Sequence, residues 1–299
     1  MTHVVRYERD GEVRVGVLDD GVVRPVPQVD SMSALLALGL ADARALVEGA
    51  AAEREVAVDA VRLLPPIDGL TEVWASGVTY ERSMDARVEE SQTQDIYSRV
   101  YAAERPELFF KSVAWRVVTD GEPIAVRSDS AVTVPEPELA VVVTAAAEVF
   151  GYTVCDDVSS RDIEGENPLY LPQAKVYAGS CSLATGIRPA WEVPDPGALG
   201  IGIRVTRTGA TVFEGATSTA RMHRSLSELV DHLVRGQDFP AGAVLSTGTG
   251  IVPDLDFTLL DGDVVEVTVE EVGRLVNPVV TLAAARKAAA VRVPAGTAL

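Results

Sequence analysis

The chain has 299 residues, and its 26 basic side chains stand against 44 acidic ones for a formal net charge of -18. No basic run interrupts that acidity, which excludes nucleic acid as a partner and polybasic docking to a membrane surface. At 47% hydrophobic and 23% charged the composition is that of a globular protein, and the length suffices for one large core or two unequal ones, which excludes disorder as the main state.

The N-terminus carries Arg6, Glu8, Arg9 and Asp10, so no apolar segment of a secretion signal fits there. The longest charge-free stretch, Phe239 to Pro253, is too short and too rich in Gly, Ser and Thr to cross a bilayer. Cys155 and Cys181 form no CxxC and no disulfide framework. The expectation is a soluble cytoplasmic protein with no membrane partner.

In chain order, Asp10-Gly11 and Asp20-Gly21 separate short Val- and Arg-rich runs, the signal of two-residue hairpins. Residues 31–51 carry Ala and Leu at helical spacing, and 53–64 read as a short strand before Pro65-Pro66 and Asp68-Gly69, which mark a linker. The expected division is a small N-terminal α+β domain, residues 1–68, and a catalytic domain, residues 69–299. Beyond the linker, Val73-Trp74-Ala75 is a strand that runs into Ser76-Gly77-Val78-Thr79-Tyr80. Residues 81–105 read as a solvated helical face, with a mobile cover over a site as the alternative. From Leu108 onward β-branched residues and turn pairs dominate. The glycines of Gly200-Ile201-Gly202 and Thr247-Gly248-Thr249-Gly250 lead into strands, so neither is a dinucleotide loop opening a helix. His3, His223 and His232 lie outside the polar clusters, and 223–235 reads as a helix.

Candidate chemistry lies in the lysines and the acids. Of the 26 basic residues only Lys111, Lys175 and Lys287 are lysines. A compact ammonium with a tunable pKa serves chemistry that arginine does not, and Lys111 and Lys175 both fall beside acids. In Pro135-Glu136-Pro137-Glu138 the prolines enforce an extended backbone, which turns both carboxylates to one side at the mouth of an apolar strand. A second apolar strand ends in Cys155-Asp156-Asp157. Hard oxygen ligands without His or Cys suit Mg²⁺ or Mn²⁺ rather than zinc, although a solvated acidic rim satisfies the same spacing. Residues 161–175, polar and rich in turn formers, read as an irregular segment lining a site and ending in Lys175.

Glu107-Leu-Phe-Phe-Lys111, Pro135-Glu-Pro-Glu138, Gly151 to Ile163, Lys175, Ser246-Thr-Gly-Thr249, Gly262 to Glu266 and Gly273 to Asn277 together resemble the fumarylacetoacetate hydrolase family, over about residues 70–285. Within it, Arg161 to Lys175, Val73 to Tyr80 and Ala103 to Glu107 are similar to the 2-keto-3-deoxy-D-arabinonate dehydratase branch. The resemblance implies a mainly β fold with α+β character, a mixed β-sandwich or roll as the catalytic domain beside the small N-terminal domain, and a homodimer or homotetramer. It implies one Mg²⁺ or Mn²⁺ on Glu136, Glu138 and Asp157, with Lys175 and Glu107 acting on a small 2-keto acid. Arg161 and Glu164 then lie in the pocket with Tyr80, Ser83 and Lys111, and Thr249 binds the substrate carboxylate. Hydrolases of the family usually carry a His where this chain has Ser83, and without that base the hydrolytic water has no activator. The implied activity is metal-dependent dehydration of a 2-keto-3-deoxy sugar acid. Acylpyruvate hydrolysis, oxaloacetate decarboxylation and non-catalytic keto-acid binding stand as rivals.

Overall fold

The computed structural model describes residues 1–84, 94–254 and 256–292. Both Asp-Gly pairs have positive φ, 55° and 83° at Asp10-Gly11 and 47° and 78° at Asp20-Gly21, and they join the antiparallel strands His3–Arg9, Glu12–Asp19 and Val22–Pro25. Two helices follow, Met32–Leu36 and Leu40–Gly49, and the first is capped by Ser31, whose side chain accepts from the Ala34 N–H. The strand expected at 53–64 is two shorter ones. Val56–Ala57 pairs with the Val22–Pro25 strand and Arg62–Leu64 with His3–Arg9, and a 3₁₀ turn at Val58–Ala60 swings the chain from one partner to the other.

His3–Arg9 pairs on its far side with Gly186–Pro189, so residues 1–68 add their strands to the sheet that carries the site. Among the described residues that sheet has twelve strands. At its heart Pro137–Val143 lies between Val149–Asp157 and Ala243–Ser246, antiparallel to both. Glu72–Gly77 follows in parallel, and Glu107–Val113 closes this edge. A second, five-stranded sheet comprises Ile124–Val126, Gly200–Arg207, Ala210–Ser218, Val264–Val269 and Gly273–Thr281.

The apolar run after Glu138 has no alternation because both faces of its strand are covered. Leu139, Val141 and Val143 pack between the two sheets with Ile203, Val267 and Leu275. Ala140 and Val142 pack instead beneath the N-terminal helices with Leu35, Leu36 and Val47. Full burial of one such side chain contributes about 1.5–3 kcal/mol, which anchors the carboxylates at the strand's start on a rigid base.

Residues 161–175 are not irregular. They form the helix Arg161–Glu166, a 3₁₀ turn Pro168–Tyr170 and the helix Leu171–Lys175. Asn167 caps the 3₁₀ turn by accepting from the Leu169 N–H, and Pro168 and Pro172 sit in first turns, where no backbone donor is missed. The later helix runs Leu226–Val234, starting at the Ser225 cap and burying Leu229, Val230 and Leu233. Within 81–105 the structure describes a helix Gln94–Ala102, while residues 85–93, on which the cover reading partly falls, lie outside the described residues. Arg224 is buried and donates to the carbonyls of Val100 and Ala103 at the end of that helix, and Tyr101 stacks on His223 at 4.3 Å.

Candidate active site

Glu136 and Asp157 face each other across neighbouring strands, the Asp157 N–H donating to the Glu136 carbonyl at 3.0 Å. Glu138 stands opposite Cys155 in the same ladder. With residues i and i+2 on one side of an extended chain, one ligand oxygen from each of Glu136, Glu138 and Asp157 comes within 4.8 Å of the others, and all three residues are buried. The spacing of Pro135-Glu-Pro-Glu138 and the strand end at Asp157 thus meet in one acidic cluster away from solvent.

Two of the three lysines, Lys111 and Lys175, reach this cluster. The Lys175 ammonium donates to Glu136 Oε2 at 2.8 Å, Asp157 Oδ2 at 3.3 Å and Ser159 Oγ at 2.6 Å, and it stands 5.6 Å over the Phe109 ring. Lys111 is completely buried behind the carboxylates, where it pairs with Asp157 Oδ1 and donates to the carbonyls of Lys175 at 2.6 Å and Val158 at 3.2 Å. Its aim follows from a bulge. Trp74 opposes Phe110 and Val73 opposes Ser112, leaving Lys111 as the extra residue of the edge strand. Arg161 donates to Glu136 Oε1 at 3.3 Å.

Glu138 Oε2 accepts from Ser246 Oγ at 2.5 Å and from the Gly248 N–H at 2.7 Å. The Gly248 turn, at φ 89°, leaves no room for a side chain, since a β-carbon there lies 2.0 Å from Thr79 Oγ1. Burial, and then the charges of Asp157 and Glu136, push the Glu138 carboxyl well above the usual carboxylate range, against the Ser246 hydrogen bond. Burial likewise raises Asp156 to about 7. Asp156 points away from the cluster, accepting from the Glu136 N–H at 2.9 Å. Tyr80 is raised by burial and by Glu138, and its buried hydroxyl has no partner among the described residues.

The other expected residues have these positions. Glu164 is buried on the helix that Arg161 opens. Glu107 begins the edge strand whose Phe109 and Lys111 meet Lys175 and Asp157, and its carboxylate lies over the α-carbon of Gly77. Ser83 Oγ donates to the Tyr80 carbonyl at 2.7 Å and closes a helical turn. Thr249 Oγ1 accepts from the Ile251 N–H at 3.1 Å within its own loop. The sequence reading missed Ser159 and Ser246 as site residues. The signal for Ser159 was its place two residues after Asp157, and Ser246 opens the Ser-Thr-Gly-Thr run.

Three buried carboxylates within reach of one another, the Glu138 carboxyl pushed upward by burial and by the other two, fit a divalent cation that offsets their repulsion. The donor set is oxygen throughout, which suits Mg²⁺ or Mn²⁺.

Residues 72–280 match the family model described as fumarylacetoacetate (FAA) hydrolase C-terminal. The chain is 46% identical over 226 residues to a 2-dehydro-3-deoxy-D-arabinonate dehydratase of Saccharolobus solfataricus, covering 74% of this chain and 76% of that protein. A probable 2-keto-3-deoxyxylonate dehydratase of Haloferax volcanii is 48% identical over 217 residues, covering 73% and 74%. Among solved structures, a 2-keto-3-deoxy-D-arabinonate dehydratase complexed with magnesium and 2,5-dioxopentanoate superposes with a TM-score of 0.79 at 37% identity, covering 94% of this chain and 99% of that one.

Proposed function

The chain belongs to the fumarylacetoacetate hydrolase family, and from that premise we propose that it is a metal-dependent dehydratase of 2-keto-3-deoxy sugar acids, a hydro-lyase that takes a substrate such as 2-keto-3-deoxy-D-arabinonate to 2,5-dioxopentanoate. The observation that carries the reading is the Lys175 ammonium held between Glu136, Asp157 and Ser159 inside a buried carboxylate cluster, in a chain 46% and 48% identical to the two dehydratases above.

Glu136, Glu138 and Asp157 hold Mg²⁺ or Mn²⁺, which when bound supplies Lewis acidity to the keto oxygen of the substrate and so acidifies C3. Lys175 and Glu107 divide the two proton transfers between them, one taking a proton from C3 and the other delivering one to the departing C4 hydroxyl, so that one water leaves and a 5-hydroxy-2-keto-3-enoic acid is formed. That acid gives up a C5 proton, regains one at C3 and ketonises from its C4–C5 enol to the 2,5-dioxo acid with the carbon chain whole. Arg161, Glu164 and the Tyr80 hydroxyl line the pocket, and the Thr249 loop orients the substrate carboxylate. Ser83 spends its hydroxyl on the Tyr80 carbonyl and offers no base for a hydrolytic water, which disfavours carbon-carbon hydrolysis. The same reading takes the protein to be a cytoplasmic homodimer or homotetramer, and among the described residues no helix is long and apolar enough to cross a membrane.

The test is incubation of metal-stripped protein with 2-keto-3-deoxy-D-arabinonate, with and without Mg²⁺, followed by mass spectrometry. Mg²⁺-dependent loss of one water with all carbons retained is the expected result. Shorter carbon fragments assign a carbon-carbon cleavage or decarboxylation instead and overturn the dehydratase reading.

A further inference from the structure

Glu107 and Gly77 are register partners in the pairing of the edge strand Glu107–Val113 with Glu72–Gly77. The Glu107 side chain folds back across that partner. A β-carbon built on Gly77 lies 2.2 Å from Glu107 Oε2 and 2.7 Å from its Cδ, distances no two such atoms adopt. The carboxylate therefore rests on the bare α-carbon, in the space that any other residue's side chain fills. A glycine inside a strand usually marks a close approach of this kind.

Backbone geometry does not require glycine here, because Gly77 is not among the residues of positive φ. Nor does the fold resist a methyl group, since the obstructing atoms are the far end of one flexible side chain rather than backbone. Further along the same edge strand, Phe109 stands over the buried Ala75, its own register partner, and meets Lys175. The strand beneath the two site residues Glu107 and Phe109 thus carries the two smallest side chains, and the partner of Glu107 has none. Ser76 Oγ donates to the Glu107 carbonyl at 2.9 Å, which fixes the backbone while the carboxylate settles on Gly77.

We infer that Gly77 is a positioning residue for catalysis, in that its missing side chain sets where the Glu107 carboxylate meets the substrate. The inference rests on the assignment of a proton-transfer role to Glu107. A methyl group at 77 displaces the carboxylate by rotation of the Glu107 side chain and leaves the carboxylate triad, which lies on other strands, undisturbed.

The experiment is a double-mutant cycle of Gly77→Ala and Glu107→Gln in the Mg²⁺-loaded protein with 2-keto-3-deoxy-D-arabinonate, reading kcat and KM, with Mg²⁺ affinity measured by calorimetry. Gly77→Ala should lower kcat by about tenfold or more, part of the 10²- to 10⁴-fold worth of a general acid or base, with KM and Mg²⁺ affinity within about twofold. On the Glu107→Gln background the same substitution should cost nothing further, because the carboxylate it displaces is already inert. Equal losses from Gly77→Ala on both backgrounds overturn the inference, as does full activity of Gly77→Ala while Glu107→Gln is impaired. Full activity of Glu107→Gln removes the role of Glu107 itself and the inference with it, an outcome that a Lys175→Ala control separates from failure of the dehydratase reading.

Discussion

The Lys111 ammonium donates to the backbone carbonyl of Lys175 at 2.6 Å, and the two lysines grip the Asp157 carboxylate from either side, Lys111 on Oδ1 and Lys175 on Oδ2. One buried cation thereby fixes both the last residue of the Leu171–Lys175 helix and the carboxylate on which that residue's own ammonium rests. Lys175, which we propose acts on the substrate, and the residue that braces it are two of only three lysines among the 26 basic residues of the chain.

Lys111→Met removes that brace without changing the bulk of the side chain much. It leaves the Asp157 oxygen and the carbonyls of Lys175 and Val158 without their common donor, and breaking a buried ion pair by removing one partner costs about 3–5 kcal/mol. Guanidinium unfolding should show a loss of that order at unchanged m-value. A stability equal to the parent protein's would mean that Lys111 contributes little to the site's framework.

Ser246→Ala deletes one of the two donors to Glu138 Oε2. Partners that orient a ligand carboxylate typically govern metal affinity by 10- to 100-fold. Calorimetric titration with Mg²⁺ should show affinity weaker by about tenfold, with secondary structure intact. An unchanged affinity would assign the orientation of Glu138 to the Gly248 N–H alone.

Mg²⁺ should stabilise the folded chain by mass action, about 2.7 kcal/mol at a hundredfold excess over Kd. The accompanying rise in Tm should vanish in Asp157→Asn and Glu136→Gln. Chelation by EDTA should return the parent protein to its metal-free Tm and abolish turnover.

Asp156 has its pKa raised by burial to about 7, against an unfolded value of 3.8. Below the unfolded value both states carry the proton, and between the two values the unfolded chain gives it up first. Stability therefore falls as pH rises from about 4 to about 7 and then levels off. In the metal-free protein, Asp156→Asn keeps an acceptor for the Glu136 N–H and removes the titration. The stability difference between parent and variant, measured by urea unfolding across that range, should shift steadily in favour of the variant. A pH-independent difference would show that Asp156 is ionised throughout.

Cys155 and Cys181 are buried free thiols. A hydrogen bond shared with Cys181, and then burial, push the Cys155 thiol well above its ordinary range. Ellman's reagent should find neither thiol in the native protein and both after unfolding in guanidinium. Rapid labelling of the folded chain would show that the strands Val149–Asp157 and Cys181–Leu183 open readily.

Much of the acidic site was legible because it is local. Two prolines force the Glu136 and Glu138 side chains to one side, and an apolar strand ending in Asp157 carries the third acid to the same edge. The Asp-Gly turns were legible for a similar reason, since only a few residue pairs tolerate two successive positive φ angles. Residues 161–175 misled because single Asn and Pro residues read as loop formers, whereas here they cap and start short helical turns. The role of Lys111 in the brace was hidden by its dependence on a bulge opposite Trp74, and that of Ser246 by its pairing with Glu138 across 108 residues. No pattern in a single segment encodes either contact.

The strand Glu72–Gly77 is seated by partners that appear late in the chain. Thr71 Oγ1 donates to the Ala241 carbonyl 170 residues away and Thr79 Oγ1 to the Thr247 carbonyl 168 residues away, with the parallel pairing to Ala243–Ser246 between them. A chain emerging from the ribosome therefore contains all three acids long before the donors that steady Glu138 have been made. Loop closure over such a span is slow, so the assembly of the catalytic pocket is tied to the final stage of synthesis, and a nascent chain cut short before residue 248 carries the acids but not the pocket.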